Sequence, residues 1–415
     1  MPHNNNMMGT TMRLTTIAAA CLVAATGSAW AETLEERLAT AETRLASLEQ
    51  QNSVADRITI NGYLRFAMET QTNIEDAAGN KLNYRGALEP DAWDNKRLSR
   101  AGLQVNARIN DEAEAVVQLL ARGSDDFAVE AQWAYLAYNV RPDITVRAGR
   151  LVLPFYLHSQ YLNVGYAYPW VELPTEVYDT IPANTMEGID ATWNINTGNI
   201  NHKLNVFWGS LETEAGGVLF ESDHQHGINL RSTLGNWTSW LGYATTLISV
   251  DLSANPVTAP FAPFSPDRAY AHFIGTGLQY DNGSLVLMGE ATELKISTPG
   301  NWFPRLPAGY LMAGYRFGKL MPHVTWAYGY AEDSADVDPL AQPLYDNFAS
   351  RQKSWTVGAR YELASGIALK ADASHYYDFS NNEVSTQGVF TGPAGSGAPD
   401  NSNPMVIRLA VDAVF

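Results

Sequence analysis

Apolar and polar residues alternate one by one through most of the chain, from residue 58 to the last residue. In the stretch ITINGYLRFAME, Ile60, Leu64 and Phe66 fall on one face of an extended backbone, while Asn61 and Arg65 fall on the other. A period of two is typical of β-strands whose two faces meet different surroundings. About sixteen such segments follow one another, so the sequence predicts an all-β fold over residues 58–415.

The connections between these segments alternate between short and long. The short ones are rich in Gly, Asn and Asp, as tight turns require, and comprise NDE, VRPD, NTGN, LGN, DNG, FGK and ASG. Most of the others are long and cover residues 72–93, 152–186, 211–224, 251–267, 297–306, 333–351 and 379–403. Every other connection of an antiparallel barrel lies on the same rim. The alternation therefore predicts a barrel with one short-turn rim and one long-connection rim.

A soluble sandwich of sixteen strands is the main alternative to a barrel in a membrane. Its loops would rarely alternate so regularly, and its apolar faces would not be edged by so many aromatic residues. The aromatic residues predicted to face outward near strand ends are Trp133, Tyr135, Trp193, Trp208, Trp326, Tyr328, Trp355 and Tyr361. Such rings suit the two membrane interfaces, and a closed barrel leaves no unpaired strand edge in hydrocarbon. We therefore predict a transmembrane antiparallel β-barrel of about sixteen strands.

The first 31 residues predict a secretory signal peptide. Arg13 precedes the apolar residues 17–25, and Ala29 and Ala31 form a small-residue cleavage pattern. The single cysteine, Cys21, lies inside this segment, so the mature protein needs no disulfide. Export combined with a transmembrane barrel predicts a place in the bacterial outer membrane.

Residues 32–53 predict a periplasmic coiled-coil segment. The apolar positions follow heptad spacing and comprise Leu34, Leu38, Ala41, Leu45 and Leu48. An isolated helix of this length is marginal in water, so the segment predicts oligomerisation. A single helix packed on its own barrel is the alternative.

Charge and motifs argue against several other classes of function. The formal net charge of −17 disfavours nucleic acid as a partner and disfavours binding of anionic lipid heads. No glycine-rich phosphate loop precedes a helix, so we predict no cofactor. His224 and His226 have no third metal ligand near them, and His158 and Ser159 would point to opposite faces of a strand. We predict neither a metal site nor catalytic residues.

Strand parity also predicts which side chains line the lumen. Arg65, Arg100, Arg147 and Arg408 point inward near the middle of their strands, and Lys370 points inward somewhat lower. These residues lie on the first, second, fifth, fifteenth and sixteenth strands, which are neighbours once the barrel closes. We therefore predict a basic arc on the wall of a lumen that sixteen strands make wide enough for water.

The connection 152–186 is long, rich in aromatic residues and prolines, and contains neither Lys nor Arg. It carries the carboxylates of Glu172, Glu176 and Asp179. Its apolar content predicts that it folds into the lumen and sets these acids opposite the basic arc. The alternative is that it caps the outer rim or covers a neighbouring subunit. Opposed charges across a constriction orient dipolar solutes and set ion preference.

The run VRAGRLVLPFY ends a strand and opens this long insertion. Together with the signal peptide, the strand count and the terminal Phe415, it makes the sequence resemble the Gram-negative outer-membrane porins. The resemblance implies homotrimers, with wall cations and loop acids at Arg65, Arg100, Arg147, Arg408, Glu172, Glu176 and Asp179. It also implies that Phe415 is an assembly signal read by the outer-membrane insertion machinery. The helical segment resembles that of DcaP-like porins, whose periplasmic coiled coil joins the trimer.

These observations predict a water-filled channel for passive diffusion of small polar solutes and ions across outer-membrane lipid. Charges are screened over about 8 Å at physiological salt, so wall arginines should outweigh distant loop acids inside the constriction. We therefore predict a weak preference for anions or carboxylated solutes. The alternative function is a non-conducting outer-membrane barrel with a lipid-hydrolase or envelope-tethering role.

Overall fold

The computed structural model describes residues 57–415 except residues 87, 91, 182, 216–217, 333–335, 381–385, 394 and 401–402. Within this part of the chain, sixteen antiparallel strands pair with their sequence neighbours and close into one barrel. The predicted fold class and strand number are confirmed. The predicted signal peptide and coiled-coil segment lie outside the described residues.

The barrel strands form a meander in which each strand pairs with the next. They are β1 (Ile58–Gln71), β2 (Arg100–Arg108), β3 (Ala113–Arg122), β4 (Val129–Arg141), β5 (Ile144–Val152), β6 (Thr185–Thr197), β7 (Ile200–Ala215), β8 (Val218–Leu234), β9 (Trp237–Val250), β10 (Ala269–Asp281), β11 (Leu285–Ile296), β12 (Leu306–Tyr315), β13 (Leu320–Tyr330), β14 (Arg351–Ala364), β15 (Ile367–Tyr377) and β16 (Met405–Val414). The barrel closes where β16 pairs with β1, and Arg65 there lies opposite Asp412.

The predicted parity holds along the closing strands. On β1 the outward Leu64 and Phe66 are 53% and 49% exposed, whereas Arg65 between them is 2% exposed. On β16 the outward Ile407 and Leu409 are exposed, whereas Arg408 is buried. The apolar outer face is the one that meets lipid in a transmembrane barrel.

Parity reverses within β4, so the predicted outward orientations of Trp133 and Tyr135 are both wrong. Gln118 of β3 pairs with Trp133, but Leu119 pairs with Ala131, which leaves β4 with one extra residue. Such a bulge moves every later side chain to the opposite face. The Tyr135 ring consequently lies beneath the guanidinium of the inward Arg147, at 5.1 Å.

The connection predicted over residues 211–224 is mostly strand. Pairing between β7 and β8 continues beyond a register shift and joins Leu211 to Ser222 and Thr213 to Phe220. His224 therefore lies in β8 and not in a loop. Two strands of a hairpin can continue to pair beyond the rim of a barrel. A polar stretch of sequence does not distinguish such paired strands from a loop.

Short helices lie in connections of the long-connection rim. They are α1 (Thr175–Tyr178), α2 (Gln342–Phe348) and the 3₁₀ turns Gly123–Asp125, Ser159–Tyr161, Gly165–Ala167, Leu252–Ala254, Ala259–Phe264 and Pro299–Asn301. Among the described residues, none of the helices has the length and apolar character needed to cross a bilayer.

Two connections next to the closing strands combine into one structure, which we call the cap. It consists of the described parts of residues 72–98 and 379–403, joined by pairing of the short strands Asn83–Tyr84 and Phe390–Thr391. Buried residues that hold it together include Ile74, Leu82, Tyr84, Leu88, Phe379 and Phe390.

Residues 153–184, which we call the inserted segment, pack against the inner face of the barrel. Leu157, Trp170 and Val177 belong to one buried cluster with Phe273 of β10 and Tyr310 of β12. The indole nitrogen of Trp170 donates a hydrogen bond to the hydroxyl of Thr325 on β13, at 2.7 Å. The largest apolar core of the molecule therefore lies inside the barrel.

Candidate functional site

Cations of the wall bind main-chain carbonyl oxygens of the inserted segment. The segment has little regular structure, so its buried carbonyls need partners from elsewhere. Lys370 Nζ donates to the carbonyl oxygens of Gly165, Tyr168 and Trp170 at 2.5, 2.6 and 3.0 Å. Arg360 on the adjacent strand also donates to the Tyr168 oxygen, at 3.3 Å. These side chains hold the segment against the wall.

Arg65 takes part in the same arrangement. Its Nε and Nη2 donate to the two carboxylate oxygens of Asp412 at 2.6 and 2.9 Å, and its Nη1 donates to the carbonyl oxygen of Val171. Lys370 Nζ lies 2.9 Å from the same carboxylate. Arg65 and Lys370 are 2% and 3% exposed, so both are covered by the inserted segment.

Glu172 directly contacts the wall cation Arg408 and cations of the cap. Its carboxylate lies 2.9 Å from Arg408 Nε and 2.8 Å from Arg97 Nη1, and it accepts a hydrogen bond from the Tyr84 hydroxyl at 2.9 Å. Arg97 Nη2 also donates to Glu69 at 2.6 Å. Burial by itself raises the pKa of Glu172, but the guanidinium groups around it hold that pKa well below its usual value. The sequence predicts that the loop acids face the wall cations across an open constriction. Glu172 instead forms ion pairs with Arg97 and Arg408, so no gap separates these charges.

The other two predicted acids have different surroundings. Glu176 is buried and accepts a hydrogen bond from Gln352 Nε2 at 3.1 Å, and burial raises its pKa. Asp179 pairs with Arg85 of the cap, and the two side chains are 36% and 32% exposed. Burial raises the pKa of Asp179, and the charge of Arg85 offsets only part of this effect. Of the three acids, Asp179 keeps the most contact with the open lumen.

Arg100 is the cross-strand partner of Arg65, whereas Arg147 lies apart from these contacts. Arg100 is the first residue of β2 and donates to the side-chain oxygen of Asn163 at 3.1 Å. Arg147 Nε donates to Asp190 on β6 at 2.9 Å. Lys370, Arg408, Arg65 and Arg100 therefore lie on the adjacent strands β15, β16, β1 and β2, and Arg147 on β5 is separated from them. Parity fixes the face of each side chain, whereas the partner depends on height along the barrel and on the path of the inserted segment.

Parity could have identified further lumen cations that were missed, among them Arg360 on β14, Lys203 and Arg231. Lys203 on β7 and Arg231 on β8 are cross-strand neighbours, on the inner face shared by Asn205 and Asn229. Arg231 Nη2 donates to the carbonyl oxygen of Leu157 at 2.6 Å, and Lys203 is exposed. Lys203 also interacts electrostatically with Arg147, so we call Arg147, Lys203 and Arg231 the cationic patch.

Arg85 and Arg97 were also missed, for a different reason. Both lie in the cap, where the sequence has no period that indicates the direction of a side chain. Their role appears only when the cap packs next to the inserted segment and brings them to Glu172, with Arg85 Nε 3.6 Å from that carboxylate.

Two cavities meet at the pair formed by Arg85 and Asp179. One, of about 710 Å³, is lined by charged side chains of the cap and β2, including Lys96, Arg97 and Arg100. The other, of about 490 Å³, is lined largely by apolar residues of β7 to β13. Arg85 and Asp179 line both cavities, so this ion pair lies between a polar and an apolar part of the lumen.

The motifs with possible catalytic or metal chemistry show no such arrangement in the described residues. His158 is buried, neither of its ring nitrogens has a hydrogen-bond partner, and burial lowers its pKa to about 3. Ser159 Oγ accepts a hydrogen bond from the Tyr156 main chain at 2.8 Å, so no Ser–His pair forms. No group of three His, Cys, Asp or Glu residues in the described part of the chain is arranged to hold a metal ion.

The barrel and its inserted segment agree with a comparison of the sequence with protein families. The model of a family described as Gram-negative porin matches residues 18–382. The chain belongs to this family. This porin accordingly forms an outer-membrane channel for passive diffusion. No curated protein matches it by sequence.

Solved structures of outer-membrane proteins share the fold of this porin at low identity. The outer-membrane channel DcaP of Acinetobacter baumannii is 12% identical, with a TM-score of 0.55, and the match covers 86% of this chain and 97% of that one. The anion-selective porin of Comamonas acidovorans is 15% identical, with a TM-score of 0.53 and coverage of 86% and 99%. A trimer form of OmpT from Vibrio cholerae is 12% identical, with a TM-score of 0.51 and coverage of 86% and 99%.

Proposed function

We propose that this porin is a homotrimeric channel without a chemical step, narrowed by the inserted segment and weakly selective for small anions, including carboxylated solutes. The observation that carries the anion preference is the cationic patch. Lys203 and Arg231 lie side by side near Arg147. Asp190 pairs with Arg147, and Glu290 on β11 interacts electrostatically with Arg231. Three cations against two carboxylates leave a local excess of positive charge.

The charge balance elsewhere in the lumen supports the same assignment. Arg65, Lys370 and Arg408 are paired with Asp412, Glu172 or Glu69 and are nearly covered, so they contribute little field to passing ions. Acidic stretches of the long connections, such as EDSADVDP, are screened by salt over about 8 Å. Lys203 is exposed and is therefore the cation we assign to contact solutes.

The trimer is supported by the heptad pattern of residues 32–53 and by the trimer form of the Vibrio cholerae protein. The anion preference is consistent with the fold shared with the Comamonas acidovorans porin, which is described as anion-selective. Inward folding of residues 152–186, as opposed to capping of the outer rim, is supported by the contacts of Lys370 and Trp170.

Planar-bilayer recording tests this proposal. The purified full-length porin is expected to insert in conducting steps, often in threes, with a reversal potential of anion-selective sign in a salt gradient. Replacing Lys203 and Arg231 together with Ala should reduce the anion-to-cation permeability ratio about twofold, because two fixed charges leave the lumen. Lys319→Ala is the matched control. Lys319 lies in the short connection FGK and donates to the carbonyl oxygen of Leu363, so its removal takes away a positive charge outside the cationic patch. A strongly cation-selective wild-type channel would contradict the anion assignment, and a barrel that never conducts would contradict the channel itself.

A further inference from the structure

The apolar cavity is unexpected for a lumen predicted to have a polar inner face. Inward positions on successive strands carry Phe220, Ile248, Phe273 and Ile296, and Phe303 adds a ring from the connection before β12. Apolar side chains that face only water do not stabilise the protein, whereas their burial would, because apolar surface is more favourable out of water. A wall of this kind becomes favourable when an apolar surface covers it.

The size and shape of this cavity suit a small molecule. Its volume of about 490 Å³ lies within the range of roughly 300–1,000 Å³ that is usual for small-molecule sites. Phe155 of the inserted segment stacks on Phe273 with ring centroids 5.1 Å apart, so one side of the cavity is a rigid aromatic surface. Specificity in such pockets comes from a few polar groups at one end.

Arg85 and Asp179 form one charged end of this cavity, and Glu176 and Glu221 are the other acidic residues of its lining. Both side chains are about one-third exposed, at 32% and 36%, which makes them more accessible than Glu172, Arg97 or Arg408. A cation and an anion are thus presented side by side at the edge of an apolar surface.

We propose that the apolar cavity binds zwitterionic solutes that carry an aromatic or branched apolar substituent. The solute carboxylate pairs with Arg85, its ammonium group pairs with Asp179, and its apolar body covers Phe220 and Phe273. This inference rests on the proposed function, because it names a class of solute for the same lumen.

Charge complementarity favours a zwitterion over a simple anion or cation. Arg85 is already neutralised by Asp179 and by Glu172, whose carboxylate lies 3.6 Å from its Nε. A lone carboxylate would have to displace Asp179 and leave that acid without a partner. A zwitterion supplies a partner to both groups, so neither charge is left uncompensated.

Current interruptions in single channels of the full-length porin test this inference. The probes are L-phenylalanine, glycine, 3-phenylpropionate and phenethylamine. Compared with phenylalanine, glycine lacks the ring, 3-phenylpropionate lacks the ammonium group and phenethylamine lacks the carboxylate. L-Phenylalanine should block with an apparent affinity about fivefold or more above that of each other probe. Phe220→Ala should abolish most of this advantage, whereas Phe261→Ala should not. Phe261 is the matched control because it packs against the same apolar cluster as Phe220 but does not line the cavity. Asp179→Asn should remove the advantage of phenylalanine over phenylpropionate.

The outcomes separate this inference from the proposed function. Conducting channels that bind phenylalanine no better than glycine would overturn the inference and leave the diffusion channel intact. Equal binding of phenylalanine and phenylpropionate would show a site for apolar rings without zwitterion recognition, which also overturns it. Barrels without ion current would contradict the proposed function, and the inference would fail with it.

Discussion

At the scale of single residues, the inward cations divide into two groups with different roles. Arg65, Lys370 and Arg408 are covered and bind carbonyl oxygens or carboxylates. Lys203 is exposed, and none of the hydrogen bonds or ion pairs described above involves it. Charge type and parity are the same in both groups, so the distinction comes from whether the inserted segment passes over the side chain.

Lys370→Met should loosen the inserted segment without opening the barrel. The change leaves the carbonyl oxygens of Gly165 and Trp170 without this donor, while the Tyr168 oxygen keeps Arg360. Each unsatisfied buried group costs about 1–3 kcal/mol. We expect greater open-channel current noise and a lower unfolding temperature. Lys203→Met is the matched control and should change ion selectivity without changing noise. Equal noise in both variants would contradict the anchoring role of Lys370.

At the scale of elements, the inserted segment is held by apolar packing and by a few polar anchors. Glu290 on β11 is one of them, because its carboxylate accepts hydrogen bonds from the Leu157 main chain at 2.8 Å and from the Tyr178 hydroxyl at 2.5 Å. A single acceptor thus connects two distant parts of the segment to one strand.

Glu290→Ala should increase proteolytic cleavage within residues 153–184 of the folded porin, because two buried donors lose their acceptor. Glu290→Gln should have a smaller effect, since its amide oxygen can still accept one of the two bonds. Glu293→Ala is the control on the same strand, as Glu293 faces the other side and pairs with Arg305. Cleavage that is unchanged in Glu290→Ala would show that apolar packing alone holds the segment.

At the scale of the whole molecule, the barrel depends on the seam between its first and last strands. Phe415 extends this seam by one residue, because its amide donates to the Gly62 oxygen at 2.9 Å and its carbonyl accepts from the Gly62 amide at 2.8 Å. Its ring lies over Gly62, where a Cβ atom would come within 2.3 Å of it. A glycine at position 62 is therefore what leaves room for the ring on the outer face.

Deletion of Phe415 should reduce the amount of folded porin in outer membranes while leaving the conductance of inserted channels unchanged. The role of Phe415 as an assembly signal remains a prediction. Its side chain is 75% exposed on the outer face of the barrel, so its removal should not alter the lumen. Quantification of folded barrels and single-channel recording measure the two effects separately. Phe415→Tyr, which keeps the ring, should assemble normally. Normal assembly without Phe415 would argue against the signal.

The sequence by itself determined the barrel, because a period of two is a local property. Alternation assigned Arg65 and Arg408 to the inner face, and turn residues such as those of NTGN located the short-turn rim. Local patterns failed where the backbone departed from regular pairing, as at the bulge that turns Tyr135 inward.

Only the tertiary structure decided what the inner face does. Arg65 and Asp412 are 347 positions apart, and Lys370 reaches Gly165 across 205 positions. No local period encodes such contacts, because they depend on how barrel closure and the path of the inserted segment bring distant residues to the same height. The same closure sets Arg85 beside Asp179 at the edge of an apolar cavity, so the sequence predicts a channel and the tertiary structure determines which charges a solute meets.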